Sequence, residues 1–202
     1  MKKPNMYLLL GLVVAATTLV ACSGALQGNG DVATETRTVS EFEALDADDG
    51  VRVYLTIDED ATGDVDLEVT TDSNLMKFLK TSVSGQTLRV GPERSGGVRT
   101  DEGFEVTGTI AALSEMVINN GAQVTITGSS TEVKLIADNG AWVHGETLEG
   151  DIVKVDVDNG AHVTVCVVGT VTGVVANGAQ LTVDCGGDAS GVNTSNGGKV
   201  SS

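Results

Sequence analysis

Three cysteines, two histidines and one tryptophan carry the sharpest chemistry in these 202 residues. Cys22 closes the tetrad Leu19-Val20-Ala21-Cys22 behind a short basic head and the apolar run "MYLLLGLVVAATTLV". That arrangement is a lipobox: small side chains fit a lipoprotein signal peptidase, and the thiol accepts diacylglycerol before cleavage. Cys166 and Cys185 lie nineteen residues apart, a spacing open to either a disulfide or two free thiols. Trp142, His144 and His162 share one short region, but two imidazoles fall short of the usual zinc set, so no metal is expected there.

Carboxylates are plentiful, yet their arrangement defines no catalytic pair. Glu146 and Glu149 are candidates for the two acids of a glycosidase, although nothing separates them from surface acids. A lyase needs a base beside its metal, and after Arg99 the only cations are Lys134, Lys154 and Lys199. "DEDATGDVDLE" at 58–68 spaces Asp58, Asp60, Thr62 and Asp66 like a calcium loop. Its twelfth position is Val69 where a bidentate glutamate is required, so it reads better as an acidic turn between strands. Asp138 and Asp158 recur just before the same turn and serve equally as solvent-facing residues or as a cation pair between coils.

What must position these residues is a repeat. "NNGAQ", "DNGAW", "DNGAH", "ANGAQ" and "SNGGK" put glycines at 121, 140, 160, 178 and 197, in steps of 19, 20, 18 and 19 residues. Apolar residues hold fixed phase to each glycine: Val124 and Ile126, Val163 and Val165, Leu181 and Val183 follow it by three and five. Val133, Leu135 and Ala137, then Val153, Val155 and Val157, precede the next one by seven, five and three. Period-two alternation means strands with one buried face, two short ones per repeat. Asn120, Asn139, Asn159, Asn177 and Asn196 occupy the turn, where asparagine and glycine tolerate positive φ. Hairpins would leave the turn residue free to vary. Parallel winding instead stacks the asparagines about 4.8 Å apart, each amide bonding to the next. The expected fold is all-β, a single-stranded parallel β-helix with about 18–20 residues per coil and irregular N-terminal coils.

Upstream the pattern loosens: Gly50, Gly85 and Gly103 lead apolar alternations, and "SNLMKFLK" reads as a short capped helical turn. The expected organisation is a signal peptide over 1–21 and a lipid-anchored tether over 22–36. A β-helix domain follows over 37–202, irregular and capping to 118, regular from 119. Net charge is −16, and loss of residues 1–21 removes two lysines and no acid, giving −18. Such a chain repels nucleic acid and anionic headgroups.

"FEALDADDGVRVYLTI", "NLMKFLKTSVSGQTLRV" and the glycines within "INNGAQVTI" resemble the bacterial family of putative auto-transporter adhesins with a head GIN domain, over roughly residues 37–200. The resemblance implies a single-stranded parallel β-helix, often on an envelope lipoprotein, and defines no catalytic residues. Two functions are weighed. One is a non-enzymatic envelope lipoprotein, without cofactor, whose β-helix surface serves adhesion, structure or binding; the other is a polysaccharide-processing lyase or glycosidase. Parity turns the residues two and four after each glycine outward, so the candidate ligand stripe is Gln123, Trp142, His144, His162 and Gln180. Its expected partner is a glycan or a surface protein, and the membrane is contacted through the anchor. Ser23, not aspartate, follows Cys22, which points to the outer membrane. Metabolic labelling with palmitate tests the anchor: wild type takes up label, Cys22→Ser does not, and a labelled mutant contradicts the assignment.

Overall fold

Each Asn-Gly pair makes a corner at which the chain reverses direction. The computed structural model describes residues 24–93 and 96–202; Cys22 and residues 1–21, expected to form a signal peptide, lie outside them. At the five corners asparagine has φ of 45–51° and the following glycine 72–82°. The N–H of Ala122, Ala141, Ala161, Ala179 and Gly198 donates to the carbonyl three residues back, at 2.8–3.1 Å. Two central residues with positive φ make this a type I′ turn. The small residue after the glycine is buried at the corner: Ala122, Ala141, Ala161 and Ala179 have no exposed surface.

Sixteen strands follow in chain order: β1 Leu26–Gln27, β2 Val32–Val39, β3 Ala44–Ala47, β4 Arg52–Ile57, β5 Val65–Asp72, β6 Leu79–Ser84, β7 Thr87–Pro92 and β8 Val98–Arg99. Then come β9 Glu105–Ile110, β10 Glu115–Ile118, β11 Gln123–Ala137, β12 Trp142–Val157, β13 His162–Val175, β14 Gln180–Asp184, β15 Asp188–Thr194 and β16 Lys199–Ser201. Fourteen form one mixed sheet that wraps nearly closed around a continuous apolar core; β1 and β8 pair separately. Among the described residues the only helical element is the 3₁₀ turn Met76–Phe78, which has no side-chain cap.

From β10 to β16 the pairing is parallel throughout. The segments flanking a corner, such as 115–118 and 123–127, pair not with each other but with their counterparts in neighbouring coils, so these turns do not close antiparallel hairpins. The two short strands expected per repeat merge in the middle coils, where β11, β12 and β13 run 14–16 residues. Close backbone approach requires glycine along these strands: a Cβ on Gly173 would lie 1.8 Å from the Val155 carbonyl oxygen. The alternating valines point inward as expected, with Val124, Ile126, Val133, Leu135, Val157, Val165 and Val171 fully buried.

The irregular half is ordered differently in space than in sequence. Coil 44–57, not the coil 87–110 that precedes it in sequence, sits directly against coil 115–127: β3 pairs β10, and β4 pairs β11 with Arg52 opposite Gln123. The chain then leaves the stack, and its return strands β7 and β9 lie on the far side of β3 and β4. Antiparallel pairs β2–β5, β5–β9 and β6–β7 finish that end. Within the stretch 22–36, β1 and β2 draw residues 26–27 and 32–36 into pairing. Asp72 anchors this segment: its fully buried carboxylate accepts the Gly30 N–H at 2.6 Å and the Thr100 hydroxyl at 2.5 Å. These two contacts satisfy a buried carboxylate and tie the segment around Gly30 to the body of the fold.

The corner side chains also depart from expectation. An asparagine-to-asparagine bond occurs once, from Asn196 Nδ2 to Asn177 Oδ1 at 3.1 Å. Elsewhere the acceptor is the aspartate one coil back: Asn120 to Asp48, Asn159 to Asp138 and Asn177 to Asp158, at 2.6–2.7 Å. Asp138 and Asp158 also accept the N–H of Asn139 and Asn159 at 2.7 Å. The carboxylate wins because it is charged and can hold both bonds on one oxygen, where an amide oxygen is a weaker acceptor. These acids are therefore committed to the turn. Asn159→Ala should cost about 1–2 kcal/mol, and Asn159→Gly clearly less, since glycine keeps the left-handed corner and loses only an exposed bond. Denaturant melts of both variants check this; equal midpoints would place the energy in the bond and not the backbone.

Candidate functional site

In-register parallel pairing turns equal offsets into straight rows. Two residues after the glycine, one row crosses seven strands from β9 to β16: Glu105, Arg52, Gln123, Trp142, His162, Gln180 and Lys199. The residues four after it form a parallel row of Thr107, Tyr54, Thr125, His144, Thr164, Thr182 and Ser201. Gln123, Trp142, His144, His162 and Gln180 thus lie together on one outward face. Arg52, Tyr54, Glu105 and Thr107 join them unforeseen. Their signal was present, since they stand two and four residues after Gly50 and Gly103, but the coil order hid their adjacency.

Aromatic rings gather at the middle of this face. The Trp142 and His162 rings are stacked, centroids 4.3 Å apart and planes 5° from parallel. Strand spacing of about 4.8 Å imposes this, because adjacent planar side chains leaving a sheet together meet face to face. His144 lies 6.1 Å from Trp142 at 22°. Nδ1 of His162 is shut off from solvent and has no hydrogen-bond partner. Trp142 remains 42% exposed and Tyr54 38%. With one indole face covered by His162, Trp142 cannot offer both faces to a sugar ring; it presents the other face and its edge. Around it the surface is hydroxyl-rich, with Thr56 and Thr127 joined at 3.2 Å and Thr182 and Ser201 at 3.2 Å. At the far end Arg52 pairs with Glu105 at 3.8 Å and donates to the Glu102 carbonyl.

Two of the three candidate catalytic cations are occupied. Lys134 pairs with Glu115 at 2.6 Å and Lys154 with Glu132 at 2.5 Å, each bridging neighbouring coils. Glu146 and Glu149 are exposed on the stretch where β12 and β13 lose register. Asp66 of the calcium-loop spacing stands in β5 and accepts the Thr38 hydroxyl at 2.7 Å, so it faces β2 and not the loop. Among the described residues no three His, Cys, Asp or Glu side chains are grouped to hold a metal. A concavity of about 760 Å³ lies between Asp49, Arg99, Asp101 and Phe104. Partial burial, then the Asp48 charge, raises the Asp49 pKa, with Asn120 opposing.

Cys166 and Cys185 are joined, S–S 2.00 Å and Cα–Cα 5.1 Å. Strict alternation sets Cys166 opposite Asp184, not Cys185. The register is met by backbone torsion and not by a bulge within the strand: Cys185 follows the end of β14 with φ of 67°, which swings its side chain back over β13.

No curated protein matches the chain. In fold it is similar to the crystal structure of a putative adhesin from Bacteroides fragilis, at 16% identity and TM-score 0.50, covering 88% of this chain and 98% of that one. It is also similar to a putative lipid binding protein from Parabacteroides distasonis (12% identity, 88% and 98% covered, TM-score 0.46). A putative adhesin from Parabacteroides merdae is a third (13%, 89% and 99%, TM-score 0.42). The family model for the putative auto-transporter adhesin, head GIN domain, matches residues 41–179, and the chain belongs to that family.

Proposed function

We propose that this protein is a non-enzymatic envelope lipoprotein that displays a parallel β-helix as a binding surface, with a glycan or a surface protein as ligand. The fold part of this reading is supported by parallel in-register pairing from β10 to β16 with a coil step of 18–20 residues. Cys22 carries the lipid that holds the chain to the outer membrane, and residues 1–21 are its signal peptide. The adhesive role accords with the family's description and with the Bacteroides fragilis protein of like fold.

One observation carries the choice of surface: Trp142 stacked on His162 at the centre of a seven-strand polar row. The stack fixes the indole before any ligand arrives, so binding loses little side-chain entropy there. Threonine and glutamine on the adjoining rungs supply hydroxyl and amide groups at fixed spacing, which suits the hydroxyls of a saccharide or the backbone of an extended peptide. A lyase or glycosidase would need a base or an acid pair in a cleft, and Lys134 and Lys154 are held in ion pairs on exposed faces.

The test begins with detergent-purified full chain on an array of glycans and matrix proteins. Trp142→Ala should weaken the ligand found there at least tenfold, about 1.4 kcal/mol, while Glu149→Gln on the opposite stretch leaves it unchanged. Equal affinity of the Trp142 variant and wild type would remove this row as the site.

A further inference from the structure

The segment that follows Cys22 is held firmly to the body of the fold. Around β1, the Leu26 N–H donates to the Gly97 carbonyl at 3.2 Å and the Gly28 N–H to the Arg99 carbonyl at 2.7 Å. The Gln27 carbonyl accepts Asn74 Nδ2 at 2.9 Å, and the Asp72 carboxylate accepts the Gly30 N–H at 2.6 Å. Cys22 precedes Gln27 by five residues, which span at most about 18 Å at full extension. A lipid on Cys22 therefore keeps Gln27 close to the headgroup layer, whichever way the rest of the stack leans. Gln27 is also one wall of the concavity of about 760 Å³, together with Asp49, Pro92, Arg99, Asp101 and the buried Phe104. Arg99, Asp49 and Asp101 are exposed, and among the described residues none of them stands in an ion pair. Partial burial, then the Asp48 charge, raises the Asp49 pKa, as befits a carboxylate with no cation beside it. One guanidinium and two carboxylates thus stand open around a hollow whose wall is the anchored segment itself.

We propose that this concavity seats the headgroup of a phosphoethanolamine lipid of the membrane that holds the chain, its phosphate on Arg99 and its ammonium against Asp49 and Asp101. The assignment rests on the lipid anchor at Cys22 proposed above. Chain length brings the bilayer to this wall of the fold, and charge then selects the headgroup. A purely anionic lipid would place its phosphate on Arg99 but leave both carboxylates facing no cation, in a chain of net −16. Phosphocholine carries both signs, yet its quaternary nitrogen has no N–H to donate. A primary ammonium donates as lysine does, and carboxylates accept such bonds with the added strength of opposite charge. Pro92 and Val98 line the same hollow and offer apolar surface to the glycerol backbone. Held both by Cys22 and by this contact, the stack keeps a fixed orientation on the bilayer and does not swing about one point.

The test uses acylated full chain in vesicles of mixed phosphatidylethanolamine and phosphatidylcholine, and in vesicles of phosphatidylcholine alone. A nitroxide is placed on Glu102→Cys, beside Asp101, or on Thr182→Cys, in the outward row. With Cys166 and Cys185 joined and Cys22 acylated, the new thiol alone takes the label. Power saturation against a water-soluble nickel chelate reads how far each label is shielded. In the mixed vesicles the Glu102 label should be several-fold less accessible than the Thr182 label. Arg99→Gln, which loses the charge-assisted bond to phosphate, should restore its accessibility, as should phosphatidylcholine alone, while the Thr182 label stays unchanged. A melting midpoint matching wild type shows that the Arg99 variant is folded. Vesicle-bound chain whose Glu102 label is as accessible as that at Thr182 overturns the proposal. Shielding that persists without Arg99, or equally in phosphatidylcholine alone, overturns it too. Chain that washes off the vesicles removes the anchor itself, and the docking with it.

Discussion

The type I′ corner is the constraint from which the rest of the structure follows. Two successive residues with positive φ reverse the chain within four residues, and asparagine followed by glycine is the pair that does so at least strain. The corner alone would make hairpins. What makes it a coil is that the two strands leaving it find better neighbours one repeat away, where apolar residues meet in the same phase. Valine faces valine across every step from β11 to β14, and the aspartate–asparagine bonds tie corner to corner on the outside. Neither set of contacts exists within a single coil, so the stack forms together.

Register then carries chemistry without further design. Once β11, β12 and β13 are aligned, a residue two after the glycine is fixed beside its counterparts, whatever its type. Trp142 and His162 stack because the ladder holds them one strand apart, and the lysines bridge to glutamates one coil away for the same reason. The face so built is rigid, exposed and polar, with its apolar area concentrated at Trp142 and Tyr54. That combination favours recognition of a ligand lying along the surface over chemistry inside a cleft.

Much of this was legible in the residues. The repeat phase gave the strands, the inward valines and the outward stripe from 123 to 180. Three features were not legible, each for a physical reason. The order of coils 44–57 and 87–110 depends on long-range pairing that no local spacing encodes, and β4 chose β11 as neighbour across sixty-five intervening residues. The corner acceptor is aspartate and not asparagine because charge outweighs the stacking of like side chains, a comparison that needs the actual rotamers. The pairing of Cys166 with Cys185 turned on the torsion of one residue, Cys185, whose left-handed φ alternation could not reveal. The outward face was half visible: Gln123, Trp142, His162 and Gln180 belong to regular coils, whereas Arg52 and Tyr54 enter it only through the reordered stack.

The order of coils therefore decides whether the outward row is continuous, and one distance measures it. Nitroxides at Arg52 and Gln180, in a Cys22→Ser background, stand at the ends of the path β4–β11–β12–β13–β14. Four ladder steps of ~4.8 Å place them about 19 Å apart, and pulsed dipolar spectroscopy should return a narrow distribution near that value. Were the coils stacked in sequence order, with those of Gly85 and Gly103 between, six steps would separate the labels by about 29 Å. A distribution centred there would contradict the coil order and break the row.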